Sequence, residues 1–174
     1  LTSLHPARSP RWRAGPARRT GRGSGVRGGD LAEESQFAQD FPSAFRNRTE
    51  GIFRDMDRAA QRIAEAVIAG ETVTIFGDYD VDGATSAALL IRLLGQLGLD
   101  ARAYIPDRLP EGYGPSGEAL LRLGQQGSTL IVTVDCGAMA FDALGQAHAA
   151  GIDVIVVDHH KCAAELPATF ALVN

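Results

Sequence analysis

The sequence predicts a doubly wound α/β domain, in which helices cover both faces of a mainly parallel sheet. Short apolar runs rich in β-branched residues alternate along the chain with longer segments of helical periodicity. Most of the short runs are apolar at every position, which is typical of strands that are buried on both faces. Alternation of this kind indicates βαβ units, whose crossovers make neighbouring strands parallel.

The first clear elements are a helix and a strand. Apolar residues recur at helical spacing over 56–69, and Gly70 follows in the position of a C′ residue, so we predict an amphipathic helix. The run TVTIF (72–76) is β-branched and bounded by turn residues, which predicts a buried strand. An aspartate-rich loop comes next, and ATSAALLIRLLGQLG (84–98) predicts a second helix.

The rest of the chain repeats this alternation. ARAYI (101–105) predicts a strand, PDRLPEGYGPS (106–116) a loop, and GEALLRLGQQG (117–127) a third helix. The same reasoning predicts a strand at TLIVTV (129–134), a helix at AMAFDALGQAHAAG (138–151), a strand at DVIVV (153–157) and the start of a final strand at TFALVN (169–174).

Charge divides the chain into a basic start and an acidic remainder. Residues 1–30 hold seven of the 17 basic residues and a single acid, Asp30, so the remainder keeps 10 basic residues against 20 of the 21 acidic ones. A Gly/Pro/Arg/Ser segment of this composition buries little apolar surface, so we predict a disordered basic tail over 1–30. A weakly patterned lead-in over 31–54 then precedes one domain over 55–174.

Composition also restricts the compartment. The sequence has no apolar run long enough to cross a membrane, so we expect no membrane partner. Cys136 and Cys162 lack CxxC spacing, which argues against a disulfide framework and against a structural zinc site. We therefore expect a protein of the cytoplasm, where thiols stay reduced.

Acidic residues and histidines follow three of the predicted strands. They are Asp78, Asp80 and Asp82 after the first strand, Asp135 after the run 129–134, and Asp158, His159 and His160 after the run 153–157. The carboxyl ends of parallel strands meet at one edge of the sheet, where ligands bind. One such acid alone would be explained as a helix N-cap, but several together repel each other unless a cation lies among them.

The residue types at this edge predict the cation. Carboxylate oxygens with one or two imidazoles and no thiolate favour Mn²⁺ or Mg²⁺. The number of carboxylates suits two ions that share a bridging acid, an arrangement that serves phosphoryl chemistry. Asp135 is the predicted bridging ligand, because we expect its strand to lie between the strands that precede the acidic groups at 78–82 and 158–160.

Three short motifs carry a family resemblance. DYDVDG (78–83), VTVDCG (132–137) and VVDHHK (156–161) resemble motifs I, II and III of the DHH phosphoesterase superfamily. Because the three occur in order and each follows a strand, the combination is highly specific. Together with PDRLPEGYG (106–114), they resemble the RecJ family of single-strand-specific 5′→3′ DNA exonucleases.

This resemblance implies a function and a set of site residues. It implies metal-dependent phosphodiester hydrolysis on single-stranded DNA, as part of DNA repair and recombination. The implied metal ligands are Asp80, Asp82, Asp135 and His159, and the implied catalytic set adds Asp158 and His160. His160 and, in the loop 106–116, Arg108 are implied to contact a substrate phosphate.

The chain departs from the family pattern in two respects. Many superfamily members place a histidine four residues before the first ligand aspartate, whereas this chain has Phe76 there. Asp78 could partly substitute for that histidine, or it could simply form the turn. The aspartate of the fourth motif and the C-terminal domains of the family would lie beyond Asn174, so we expect an incomplete DHH domain that hydrolyses little DNA alone.

Other functions remain open on the sequence. The chain could be an oligonucleotide or cyclic-dinucleotide phosphodiesterase of the same superfamily, or a non-catalytic scaffold with the same fold. DVDGAT (80–85) also matches the DxDGT motif of haloacid-dehalogenase phosphatases. That motif follows its strand directly, however, and it leaves the triplet at 158–160 unexplained. The acidic composition after residue 30 argues against general affinity for DNA in this segment.

Overall fold

A computed structural model describes residues 53–174 of the chain. It contains, in order, the helix α1 (Met56–Ala69), the strand β1 (Val73–Gly77), α2 (Val81–Gln96), β2 (Arg102–Tyr104), α3 (Arg108–Glu111), α4 (Gly117–Gln125), β3 (Leu130–Val134), α5 (Phe141–Ala149), β4 (Asp153–Val157) and β5 (Ala171–Val173). The predicted tail over 1–30 and nearly all of the lead-in lie outside the described residues.

The five strands form one parallel sheet in the order β2-β1-β3-β4-β5. Successive side chains of the central strands point to opposite faces, so each face has its own core. One core joins α1 and α2 to the sheet through Ile75, Val132 and Ile155, and the other joins α4 and α5 through Phe76 and Ile131. The predicted parallel α/β fold with helices on both faces is confirmed.

The structure differs from the predicted elements at the start of α2. The sequence pattern predicts a helix from residue 84, whereas α2 begins at Val81. The reason is that Asp80 caps this helix: its side chain accepts a hydrogen bond from the backbone N–H of Gly83 at 3.0 Å. Asp82 therefore lies inside the first turn of the helix and not in a loop.

A second difference lies in the predicted loop over 106–116. One helical turn, α3, forms there, because the side chain of Asp107 accepts a hydrogen bond from the N–H of Leu109 and caps the turn. Within residues 53–174, no helix has the length and apolar character that a membrane crossing requires.

The amino edge of the sheet is held by one buried arginine. Arg62 of α1 makes a bidentate pair with Glu71, which precedes β1, at 2.8 and 2.9 Å. Its Nε also donates to Asp153 at the start of β4 at 2.7 Å, and the Thr129 hydroxyl donates to Glu71 at 2.6 Å. Arg62 thus ties α1 to two strands at the edge opposite to the acidic motifs.

Candidate metal centre

The motif residues meet at the carboxyl edge of three adjacent strands. Gly77, Val134 and Val157 are aligned across β1, β3 and β4, so the next residue of each strand projects from the same edge. The sheet hydrogen bonding continues one step further. The N–H of Asp78 donates to Val134 at 3.3 Å, and the N–H of Asp135 donates to Val157 at 2.9 Å. These bonds fix the backbone of the acidic residues before any ligand is bound.

Two groups of side chains at this edge have ligand atoms within 4.8 Å of one another. One group consists of Asp78, Asp80 and Asp135, and the other of Asp135, His159 and His160. Asp135 belongs to both groups, in line with the predicted position of a bridging carboxylate. The donor atoms are carboxylate oxygens and imidazole nitrogens, which suit hard divalent ions such as Mn²⁺ and Mg²⁺.

The N-terminus of α2 controls the charge of Asp80. The hydrogen bond from Gly83, with smaller contributions from the Asp135 side chain and the backbone of Asp82, holds the pKa of the Asp80 carboxyl below its ordinary value. The positive end of the helix dipole acts in the same direction. Asp80 is therefore an anion held in a fixed direction at the mouth of the site.

Asp135 has an unusual backbone and an unfavourable electrostatic position. Its φ of 62° is left-handed, a conformation that few residues other than glycine adopt. Burial, followed by the nearby Asp80 carboxylate, raises the pKa of Asp135, and a contact of 2.9 Å with Nε2 of His159 only partly offsets this. Two carboxyl groups placed in this way favour either a shared proton or a cation between them.

Asp158 holds the DHH triplet in shape. Its Oδ2 accepts the N–H of Ala138 at 2.9 Å, and its Oδ1 accepts the N–H of His160 at 3.1 Å and contacts Nδ1 of His160 at 2.7 Å. Burial opposes ionisation, but these hydrogen bonds outweigh it and lower the pKa of Asp158. The same bond to Asp158 raises the pKa of His160. Both carboxylate oxygens of Asp158 are thus engaged within the protein.

Asn174, directly after β5, supports the same loop. Its Nδ2 donates to the backbone carbonyls of Asp158 and His160, each at 2.8 Å. Asn174 is not among the predicted site residues. The available signal was its position directly after a predicted strand, at the edge where the other polar residues collect.

An aromatic row leads from the metal centre to the loop 106–116. The ring of Tyr113 stands edge-on to His160 at 6.2 Å and to Tyr79 at 6.4 Å between centroids. The guanidinium of Arg108 lies 4.9 Å from the centroid of Tyr79. Arg108 is exposed, and Tyr113 is 58% exposed. The predicted phosphate contact Arg108 therefore lies beside the motif residues and is accessible to solvent.

The loop that carries Arg108 is anchored to β2 and α4 through Glu111. Glu111 forms a close hydrogen bond with the hydroxyl of Tyr104 and an ion pair of 3.1 Å with Arg122 of α4. These contacts anchor α3, the helical turn from which Arg108 reaches over Tyr79.

Of the predicted metal ligands, Asp82 lies outside both ligand groups, and Phe76 occupies the position where many superfamily members have a histidine. Asp82 is exposed in the first turn of α2. Phe76 is fully buried and packs on Tyr104, with the ring centroids 5.2 Å apart. The residue that stands at the family's histidine position is thus part of the core of the domain.

Comparisons with known proteins agree with this architecture. Residues 72–174 match the model of the DHH family, N-terminal domain. The single-stranded-DNA-specific exonuclease RecJ of Bacillus subtilis is 41% identical over 121 residues, which make up 70% of this chain and 15% of that protein. RecJ of Escherichia coli is 38% identical over 120 residues, or 68% of this chain and 21% of the relative.

Solved structures give the same result. A crystal structure of exonuclease RecJ bound to manganese matches with a TM-score of 0.61 and 38% identity, over 67% of this chain and 30% of that chain. RecJ from Thermus thermophilus in complex with Mn²⁺ matches with a TM-score of 0.56 and 33% identity, over 67% of this chain and 16% of that chain. The chain spans about a fifth or less of the length of the two curated relatives above. By its motifs, its fold and the family match, this chain belongs to the DHH family.

Proposed function

We propose that this chain supplies the metal-binding part of a 5′→3′ exonuclease that hydrolyses single-stranded DNA with Mn²⁺ or Mg²⁺. The observation that carries this proposal is the pair of ligand groups that share Asp135. The similarity to RecJ exonucleases, two of which have been solved with manganese, supports the same activity. The proposed setting is DNA repair and recombination in the cytoplasm.

The residues at the sheet edge fit two hard divalent ions. We propose that Asp80 and Asp135 hold one ion and that His159 and Asp135 hold the other, so that Asp135 bridges them. Asp82 remains a proposed ligand only because the family motif implies it, since it lies outside both ligand groups. One carboxylate oxygen, Oδ1 of Asp78, is buried without a hydrogen-bond partner among residues 53–174, as expected where a cation completes the site.

Bound divalent ions would supply an activated water and would stabilise the negative charge that develops on the leaving oxygen. The protein would place the phosphodiester. His160, whose pKa is raised by its bond to Asp158, and the guanidinium of Arg108 would contact non-bridging phosphate oxygens. In this proposal Asp158 is a positioning residue, because both of its oxygens are engaged by Ala138 and His160.

The preference for single strands would follow from the aromatic row. Unpaired bases can stack on exposed rings, which is a sequence-tolerant way to hold single-stranded nucleic acid. Tyr113 offers such a ring next to His160 and to Tyr79, over which Arg108 lies, so a strand that stacks there would bring its backbone towards the metal centre.

The metal site is tested by thermal unfolding of the 174-residue chain. Mn²⁺ should raise the Tm, because an ion that binds only the folded state stabilises it by about 2.7 kcal/mol at 100 times its Kd. Asp135→Ala should abolish this shift. Asp142→Ala, at an exposed position of α5, is the matched control and should retain it. Equal shifts in all three proteins would contradict the proposed site.

Nuclease assays separate the exonuclease from the alternatives. A chain of the relatives' full length that carries residues 53–174 should degrade end-labelled single-stranded DNA from the 5′ end and leave the duplex and cyclic dinucleotides intact. His159→Ala should remove this activity. The 174-residue chain alone should show negligible digestion. Faster hydrolysis of cyclic dinucleotides than of single-stranded DNA would overturn the exonuclease proposal in favour of a dinucleotide phosphodiesterase.

A further inference from the structure

Asp78 is a buried carboxylate that the fold leaves unsatisfied. The residue is 3% exposed, and its Oδ1 has no hydrogen-bond partner among the described residues. Its backbone continues the sheet through the bond to Val134, so the side chain starts from a fixed position at the edge. Desolvating an ionised carboxyl without a partner is costly, and the group then takes up a proton or a cation.

The neighbours of Asp78 increase this cost. Ligand oxygens of Asp80 and Asp135 lie within 4.8 Å of its own ligand oxygen, so three carboxyl groups share one small volume. Asp80 and Asp135 each have a compensating contact within the protein, with Gly83 and His159 respectively. Oδ1 of Asp78 is buried and has none among residues 53–174.

The start of α2 packs closely against Asp78. A Cβ atom on Gly83 would lie 2.5 Å from the backbone N and O of Asp78, so only glycine permits this approach. The same Gly83 donates its N–H to Asp80. The N-terminus of α2 therefore holds the backbone of Asp78 and the side chain of Asp80 close to each other.

We propose that Asp78 is a direct ligand of the ion that Asp80 and Asp135 hold, and thus a metal ligand beyond the set that the family motifs imply. This inference rests on the proposed metal-dependent function. Alternate residues of an extended chain share a face, so Asp78 lies on the same face of the sheet as Phe76, two residues earlier. The ring of Phe76 is buried in the core and offers no ligand atom. Asp78 therefore supplies a ligand atom on that face, two residues closer to the carboxyl edge of the sheet than Phe76.

Asp78→Asn tests this by removing the charge with almost no change in shape. We expect calorimetry on the 174-residue chain to show Mn²⁺ binding weakened at least tenfold, with the metal-free Tm equal to or above that of the wild type. Asp142→Asn should bind Mn²⁺ like the wild type. Wild-type affinity in Asp78→Asn would overturn the inference and leave the proposed function standing, whereas failure of the wild type to bind Mn²⁺ would contradict the proposed function itself.

A second measurement tests whether the ion contacts Asp78 directly. It uses the wild-type chain and therefore does not depend on the folding of a variant. Residues that only orient a ligand also change metal affinity, by about 10- to 100-fold, so affinity alone does not separate the two roles. In crystals of the wild-type chain soaked with Mn²⁺, anomalous scattering should place an ion about 2.1 Å from an oxygen of Asp78. An ion separated from Asp78 by a water molecule would overturn the proposal.

Discussion

Replacement of Asp158 by asparagine should destabilise the domain and loosen its histidine pair. The carboxylate is buried and accepts three hydrogen bonds, from the N–H of Ala138, the N–H of His160 and Nδ1 of His160. Its lowered pKa and the raised pKa of His160 indicate that the folded state favours the ion pair. Asparagine keeps the shape but removes the charge and one of the two acceptors.

The magnitude follows from these contacts. If the amide oxygen of the introduced asparagine faces His160, its NH₂ group faces the N–H of Ala138, and two donors then oppose each other. Leaving a buried donor unsatisfied costs about 1–3 kcal/mol, and converting a charge-assisted hydrogen bond to a neutral one costs about 1 kcal/mol more. We therefore expect a loss of about 3 kcal/mol in the free energy of unfolding, which lowers the Tm of a domain of this size by roughly 10 °C.

The assay is urea unfolding of the metal-free 174-residue chain, followed by circular dichroism. Asp142→Asn removes one exposed carboxylate of α5 and should change the unfolding free energy by less than about 0.5 kcal/mol. Mn²⁺ affinity should also fall, by about 10- to 100-fold, since Asp158 holds the segment that carries the proposed ligand His159. If Asp158→Asn unfolds within about 0.5 kcal/mol of the wild type, the three hydrogen bonds do not stabilise the triplet as argued.

The remaining predictions concern the opposite edge of the sheet. Arg62→Met should cost about 2 kcal/mol in urea unfolding, below the usual 3–5 kcal/mol for breaking a buried pair because Glu71 and Asp153 are 22% and 39% exposed, and it should leave Mn²⁺ affinity unchanged. The exposed Arg102→Met is its control, and an equal loss in both variants would contradict the role of Arg62. Arg62 lowers the pKa of Glu71 in the folded state, so this contribution is complete above the unfolded pKa of about 4.3 and disappears as the pH falls through the lower folded value. Unfolding free energies measured between about pH 6 and about pH 3 should therefore converge for wild type and Arg62→Met, and a constant difference would refute the linkage.

The fold and the location of the site could be predicted because both depend on local patterns. Apolar strands alternating with helices indicate a parallel sheet, and in such a sheet every strand that ends in an acid ends at the same edge. Asp80, Asp135 and His159 could be assigned to one site in this way without any knowledge of their distances. The same reasoning also placed Asp78 there, but it left open whether that residue forms a turn or contacts a metal.

The contacts between distant residues could not be predicted, because they depend on strand order and register. Arg62 pairs with Asp153 across 91 positions, and Asn174 reaches the carbonyl of Asp158 only because β5 lies beside β4. The early start of α2, by contrast, has a local cause that is visible in the sequence. An aspartate three residues before Gly83 is a suitable N-cap, so the sequence is consistent with a helix that starts at Val81. Asp80 serves as the cap and also contributes to the proposed metal site.

The two edges of the sheet show how this fold treats acidic groups with and without an internal counter-charge. At the amino edge, Glu71 and Asp153 are neutralised by the guanidinium of Arg62, which donates to both. At the carboxyl edge, the described contacts of the acids are backbone N–H groups and two imidazoles, and Oδ1 of Asp78 has no partner within residues 53–174. Among residues 53–174, a buried arginine, Arg62, pairs with the acids of the amino edge, whereas no arginine pairs with the acids of the carboxyl edge. Burial and the nearby Asp80 carboxylate raise the pKa of Asp135, so a divalent ion bound at this edge would relieve an unfavourable interaction between carboxylates. Arg62, the two cores and the hydrogen bonds of Asp158 therefore stabilise the domain, and we expect Asp78, Asp80 and Asp135 to remain available to bind metal.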